Sequence, residues 1–163
     1  GIVGLGDIGH SAAKRALAHE LSVVAWDPAV AAEEVPGLTV KAWPEGLEDC
    51  DFLVLTCALN ARNRHMVNHA ALSRAKPGLR LVNVARGQLI DEEDLLEALT
   101  SGQVHSAALD VFEVEPLPEG AYLRKHPRCV FGSHNASNTA DAVARTSEIA
   151  ITKLMGFLRE VEA

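Results

Sequence analysis

The sequence predicts an α/β fold built on a doubly wound parallel sheet, and three observations predict it. Short apolar runs alternate with longer stretches of helical spacing. A glycine-rich turn separates the first run from the first helix, and polar residues able to do chemistry stand directly after the later runs. Strands covered on both faces read as continuous apolar runs rather than as alternating ones. The runs Gly1 to Gly4, Val23 to Trp26, Phe52 to Thr56, Arg80 to Val84, His105 to Leu109 and Cys129 to Phe131 have that character.

Between the runs lie a helix from about Asp7 to Glu20, helical turns around Leu47 to Cys50 and Val67 to Ala75, and a helix from Glu92 to Ser101. Strand, crossover, strand is therefore the repeating unit. The helix after Asp91 has the fullest grammar: Asp91 as N-cap, Glu92, Glu93 and Asp94 in the positive first turn, and Gly102 at the stop. A last helix should start after Asn138, whose side chain can cap it with Asp141 three residues on, and run to about Arg159. The loosest stretch, Glu113 to Arg128, is rich in Pro and Gly and reads as a functional loop.

A chain of 163 residues, 48% hydrophobic and 4% aromatic, suits one sizeable core and is too short for two ordinary domains. Its net charge of −7 argues against nucleic acid or an anionic membrane as partner and favours a small molecule or a protein. The longest stretch without Asp, Glu, Lys or Arg, Cys129 to Ala140, is too polar to span a membrane. Cys50, Cys57 and Cys129 lack CxxC spacing and sit in or beside apolar runs, which suggests reduced, buried thiols in a cytoplasmic protein, and no His or Cys spacing suggests a metal site. The chain opens on Gly1-Ile2-Val3-Gly4, inside a strand and without Met, so the expectation is a piece of a longer protein.

The turn Gly4-Leu5-Gly6-Asp7-Ile8-Gly9 has a dinucleotide-binding spacing. Gly4 permits the tight turn, Gly6 lets a diphosphate approach the backbone, and Gly9 lets the helix pack close to the sheet, while the amides of Asp7 and Ile8 face the anion. The plain alternative is an ordinary strand-to-helix turn. Asp27, at the end of the second run, weighs against it, because a carboxylate there can accept both hydroxyls of an adenosine ribose. It would also repel a 2′-phosphate, and no Arg or Lys follows in Pro28-Ala29-Val30, so NAD is favoured over NADP.

Open parallel sheets place their sites at the carboxyl ends of strands. Asn83-Val84-Ala85-Arg86-Gly87, Asp110-Val111-Phe112-Glu113-Val114-Glu115-Pro116 and Gly132-Ser133-His134-Asn135-Ala136-Ser137-Asn138-Thr139 stand at three such ends. One cation, one carboxylate and one imidazole thus converge on one edge. Composition alone leaves Glu113 and Glu115 as competitors, since residues two apart in an extended segment point the same way.

These motifs, in this order across nearly the whole chain, resemble the coenzyme domain of the D-isomer-specific 2-hydroxyacid dehydrogenases. The run Ser133 to Thr139 is most similar to the phosphoglycerate dehydrogenase branch of that family. The resemblance implies a Rossmann-type NAD-binding domain acting on a D-2-hydroxy acid and its 2-oxo acid, with 3-phosphoglycerate as the candidate substrate.

It implies that Arg86 binds and polarises the substrate's carboxylate and carbonyl, that His134 exchanges the hydroxyl proton, and that Glu115, directly before Pro116, orients His134. It further implies that Asp110 receives the nicotinamide carboxamide and that Cys57, Ala58, Asn63, Val84 and Ala85 border the cofactor. Cys57 reads as packing rather than as a nucleophile. Asn135 departs from the small residue common after the family's histidine. The family's substrate domain has no counterpart in these residues, and the last helix is the segment expected to lead back toward it. A homodimer is also implied. An NAD-sensing binding or corepressor module on the same scaffold is the second reading, separated from the first by turnover.

Overall fold

The structure of the chain, a computed structural model, describes residues 1–30 and 37–161. Its strands are β1 (Ile2–Val3), β2 (Val23–Trp26), β3 (Leu38–Val40), β4 (Phe52–Leu55), β5 (Leu79–Asn83), β6 (Val104–Leu109) and β7 (Cys129–Phe131). Its α-helices are α1 (Asp7–Ala18), α2 (His69–Arg74), α3 (Glu92–Ser101) and α4 (Ala140–Val161), with short 3-10 turns at Leu47–Asp49, Gly87–Leu89 and Tyr122–Lys125. The chain forms two compact units, Gly1–Ser133 and His134–Ala163.

All of the sheet belongs to the first unit. Among the described residues it has seven strands in the order β3-β2-β1-β4-β5-β6-β7, and every pairing is parallel. From β1 the chain winds outward to β2 and β3 on one side, then returns to β4 and proceeds outward on the other. The reversal between β1 and β4 is the switch point at which such sheets open a crevice beyond their carboxyl ends.

Ile2 and Val3 show how two residues suffice for a central strand. Successive side chains leave a strand on opposite faces, so Ile2 packs with Leu5, Ala13, Val23, Ala25 and Leu38. Val3 enters the larger core on the other face, with Trp26, Leu53, Leu55 and Leu81 among its members. Each such aliphatic side chain contributes about 1.5–3 kcal/mol on burial. Into this same core α3 buries Leu95, Ala98 and Leu99. Asp91 accepts the Glu93 and Asp94 amides, and Gly102 takes a left-handed φ of 86° at the stop, as the sequence predicts.

Three differences from the sequence reading have physical causes. The edge strand β3 was not foreseen: of its three residues only Leu38 is buried, too little apolar signal to register as a run. The first helix stops at Ala18 rather than Glu20, where Glu20 adopts φ 62°. The last helix begins at Ala140, and the Ala142 amide donates to the Thr139 hydroxyl at 3.2 Å. Thr139 is therefore the cap, one residue after the expected Asn138. In the second unit α4 is 22 residues long, and no helix among the described residues is long and apolar enough to cross a membrane.

Candidate cofactor and substrate site

The glycine turn is built as its spacing predicts. A Cβ on Gly4, at φ 93°, would collide with the backbone of Cys57, and one on Gly9 would overlap the Gly4 carbonyl oxygen. A Cβ on Gly6 would meet nothing within 4 Å. Two glycines thus serve packing and the third leaves the backbone open. Gly6, Asp7 and Ile8 are exposed, and no side chain caps the start of α1, where first-turn amides have no acceptor within the helix. The positive end of α1 therefore faces outward at the switch point, which suits a diphosphate.

Asp27 is half-buried beside this turn. Its Oδ2 accepts the Leu5 amide at 2.7 Å and its Oδ1 accepts the Ala29 amide at 2.9 Å. A carboxylate offers about four lone-pair sites, so these two bonds aim the group and leave capacity for hydroxyl donors. The donor set and the open backbone at Gly6 both fit a dinucleotide.

Thr56, at the end of β4, was not singled out from sequence. Its hydroxyl lies 3.0 Å from the Val3 carbonyl oxygen and 2.8 Å from that of Gly4, tying the glycine turn to the next strand. The loop that follows gathers Cys57, Ala58 and Asn63, since the Asn63 amide nitrogen donates to the Ala58 carbonyl at 2.8 Å and lies 3.7 Å from the Cys57 sulfur. Burial pushes the Cys57 thiol up, and the charge of Asp27 adds to the effect. Of the three cysteines expected to be buried only Cys50 is; Cys57, past the end of β4, and Cys129, opening the edge strand β7, are half-buried because the sheet covers them on fewer sides, and Cys57 stays a neutral thiol.

At the end of β5, the fully buried Asn83 donates to the Arg86 carbonyl at 2.9 Å and accepts the Ala85 amide at 3.0 Å. Val84 and Ala85 are thereby held in a tight turn that delivers Arg86 to the surface. Its guanidinium donates to the Ala85 carbonyl at 2.6 Å. A Cβ on Gly87 would overlap the Phe112 carbonyl, so the turn carrying Arg86 lies backbone to backbone against the segment carrying the two glutamates. Gln88 adds a bond from its amide nitrogen to the Glu113 carbonyl at 3.0 Å.

Beyond β6, the Asp110 amide donates to the Asn83 carbonyl at 3.0 Å, and a Cβ on Gly132 would overlap the Asp110 carboxylate. The chain leaving β7 at Gly132 therefore passes close by Asp110. The chain bends at residues 113–116, so the two glutamates do not share one direction as an extended segment would have them. Glu113 Oε2 lies 2.9 Å from His65 Nε2, and its Oε1 accepts the Glu92 amide at 3.1 Å. Its own amide donates to Glu92 Oε1 at 2.7 Å. Burial pushes the Glu92 carboxyl up; the Glu113 amide pulls it down, and the Glu113 charge pushes it up further. Glu115 is exposed and accepts the Phe112 amide through Oε1 at 3.0 Å. Glu113 ties loops together, and Glu115 presents its carboxylate at the surface.

His134 is the first residue of the second unit and adopts φ 58°. The fold also gathers a set that linear spacing could not show, His69 with Asp94 and Glu97, whose ligand atoms lie within 4.8 Å of one another. His69 donates its amide to Asp94 Oδ2 at 2.7 Å, and its ring lies 3.9 Å from Glu97. Capping and a solvated ion pair account for that cluster.

Residues 1–136 match the family described as D-isomer specific 2-hydroxyacid dehydrogenase, NAD binding domain. The chain is 40% identical over 144 residues to D-3-phosphoglycerate dehydrogenase of Bacillus subtilis, covering 87% of this chain and 27% of that protein. It is 38% identical over 157 residues to hydroxypyruvate reductase of Thermotoga maritima, covering 94% and 51%. The crystal structure of a D-isomer specific 2-hydroxyacid dehydrogenase from Lactobacillus delbrueckii ssp. bulgaricus, in its NAD complexed form, superposes with a TM-score of 0.87 at 26% identity, over 98% of this chain and 52% of that one. The chain thus spans about half the length, or less, of these relatives. A parallel sheet with its switch point at an open glycine turn, an acid at the end of β2 and the later motifs in family order all agree with the match: the chain belongs to the D-isomer specific 2-hydroxyacid dehydrogenases, as their NAD-binding domain.

Proposed function

We propose that the whole protein is an NAD-dependent oxidoreductase interconverting a D-2-hydroxy acid and its 2-oxo acid, with 3-phosphoglycerate as the first substrate to try. The observation that carries the reading is the joining of the Arg86 turn to the Glu115 segment, backbone against backbone, on the same sheet edge as the open glycine turn. The B. subtilis relative's name supports the choice of 3-phosphoglycerate.

In this reading the amides of Asp7 and Ile8 hold the diphosphate, Asp27 accepts the ribose hydroxyls, and Cys57, Ala58, Asn63, Val84, Ala85 and Asp110 border the rest of the cofactor. Bound NAD supplies the hydride acceptor. Arg86 grips the substrate carboxylate with a planar fork and draws electron density from the C2 oxygen. His134 takes the hydroxyl proton as the alcohol is oxidised and returns it in the reverse direction. Glu115 steadies the imidazolium so formed. The Asp27 carboxylate makes NAD the preferred cofactor over NADP. The protein works as a homodimer in the cytoplasm, without nucleic-acid or membrane partners, and sedimentation of the full-length protein reads its assembly.

The test is a panel of 2-oxo acids offered with NADH to the full-length protein, including 3-phosphohydroxypyruvate, hydroxypyruvate and glyoxylate. NADH oxidation with at least one of them is the expected result. Tight NADH binding with no oxidation across the panel would overturn the reading in favour of an NAD-sensing module.

A further inference from the structure

His65 lies in the loop leaving β4 and is absorbed by no role assigned above. Its backbone takes φ 51°, a left-handed conformation that a bulky residue holds only when its surroundings impose it. Two hydrogen bonds and one longer contact hold it here. The His65 amide donates to the Gln88 carbonyl at 2.8 Å, ring Nε2 lies 2.9 Å from Glu113 Oε2, and ring Nδ1 lies 3.5 Å from Asp91 Oδ2. The loops after β4, β5 and β6 therefore meet at one imidazole.

Glu113 is fixed at every polar group it has. Its amide and one carboxylate oxygen exchange bonds with Glu92, its carbonyl accepts from Gln88, and its other carboxylate oxygen meets His65. Arg64 adds a more distant contact at 3.7 Å. Only 23% of the Glu113 side chain and 32% of the His65 side chain are exposed, so solvent screens the pair less than it screens Arg64, at 55%. Glu115 follows two residues later and bonds back to the Phe112 amide, so its carboxylate stands on a segment whose fixed point is Glu113.

We infer that His65 is a positioning residue for Glu115: by clasping Glu113 it sets where the Glu115 carboxylate stands. The clasp rests on geometry, and its consequence for turnover rests on the dehydrogenase reading above.

Full-length His65→Asn tests the inference, because Asn tolerates the left-handed backbone while its shorter side chain gives up the ring's reach. His65→Gln serves as the conservative rescue, with an amide long enough to donate to Glu113. For His65→Asn the expected results are a kcat about 10- to 100-fold lower, an NADH Kd within about threefold of wild type, and a limb of the pH profile for 2-oxo acid reduction moved about 0.5–1 unit to lower pH.

His65→Gln should recover most of the loss, and in a Glu115→Gln background His65→Asn should cost less than about threefold more. Amide exchange of Phe112 to Glu115 should quicken in His65→Asn without any substrate present. An unchanged kcat and pH limb overturns the inference, and so does an undiminished loss in the Glu115→Gln background. If the wild type turns over no 2-oxo acid, the dehydrogenase reading is what fails, and the exchange measurement alone decides: unchanged exchange in His65→Asn overturns the clasp.

Discussion

Asp27 carries two duties that a single substitution can separate. It fixes the glycine turn through the Leu5 amide, and in the proposed function it accepts ribose hydroxyls. A charge-assisted hydrogen bond contributes about 1.5–3 kcal/mol, so Asp27→Asn should weaken NAD about 10- to 100-fold by calorimetry. An unchanged affinity would remove Asp27 from the cofactor site. His134→Ala should lower kcat about 10²- to 10⁴-fold in the full-length protein, and near-wild-type turnover would rule out the role given to His134. Asp27 and Arg86 stand out in the sequence because each is a polar residue just after an apolar run, a position that by itself suggests a site. Thr56 and His65 do not, because their meaning lies in partners far along the chain: Gly4, 52 residues from Thr56, and Glu113, 48 residues from His65. The choice between Glu113 and Glu115 was likewise beyond spacing, since it depends on a bend and on which loops lie within reach.

Between a strand and its helix, single methyl groups separate packing from binding. Gly9→Ala sets a methyl group onto the Gly4 carbonyl and should destabilise the domain by about 1–3 kcal/mol, read as a lower midpoint in urea. Gly6→Ala meets open space; it should leave that midpoint nearly unchanged while NAD affinity drops more than about tenfold. Equal effects of the two on stability would contradict the division of labour among the glycines.

At the start of α3, burial holds the Glu92 carboxyl above its ordinary value. The folded chain thus keeps a proton that the unfolded chain has lost, and stability from this group falls as pH rises from the ordinary carboxylate range through the folded value. Glu92→Gln removes that cost and keeps an oxygen for the Glu113 amide. The expected result is a small gain near neutrality that vanishes below the unfolded pKa. A denaturation series across about pH 4 to 7 measures it. Helix α3 was readable to the residue because cap, acidic turn and stop glycine agree. β3 was not, because three residues with one buried side chain offer no period, and the start of α4 moved by one because Asn138 and Thr139 are both competent caps.

Across the whole molecule, the NAD-binding half and the chemistry separate in a further prediction. The 163-residue chain alone should bind NAD yet turn over 2-oxo acids at least about 10²-fold more slowly than the full-length protein, since orientation of the substrate and exclusion of water need walls on both sides of it. Comparable kcat values for the two would show that this chain suffices. β1 has a different consequence, for how the chain finds its shape. It is two residues long and is paired on both flanks, in register with Ala25 and Trp26 on one and with Val54 and Leu55 on the other. With every ladder among the described residues parallel, none of these strands zips up as a local hairpin, and loops of about 15 residues or more, the shortest joining Val23 to Leu38, must close before the first rung forms. Refolding after dilution from denaturant should accordingly take milliseconds to seconds rather than microseconds, by about the spread seen among non-local topologies. On the ribosome, the Ile2–Val3 pair waits for Leu55 to emerge before its second neighbour can dock.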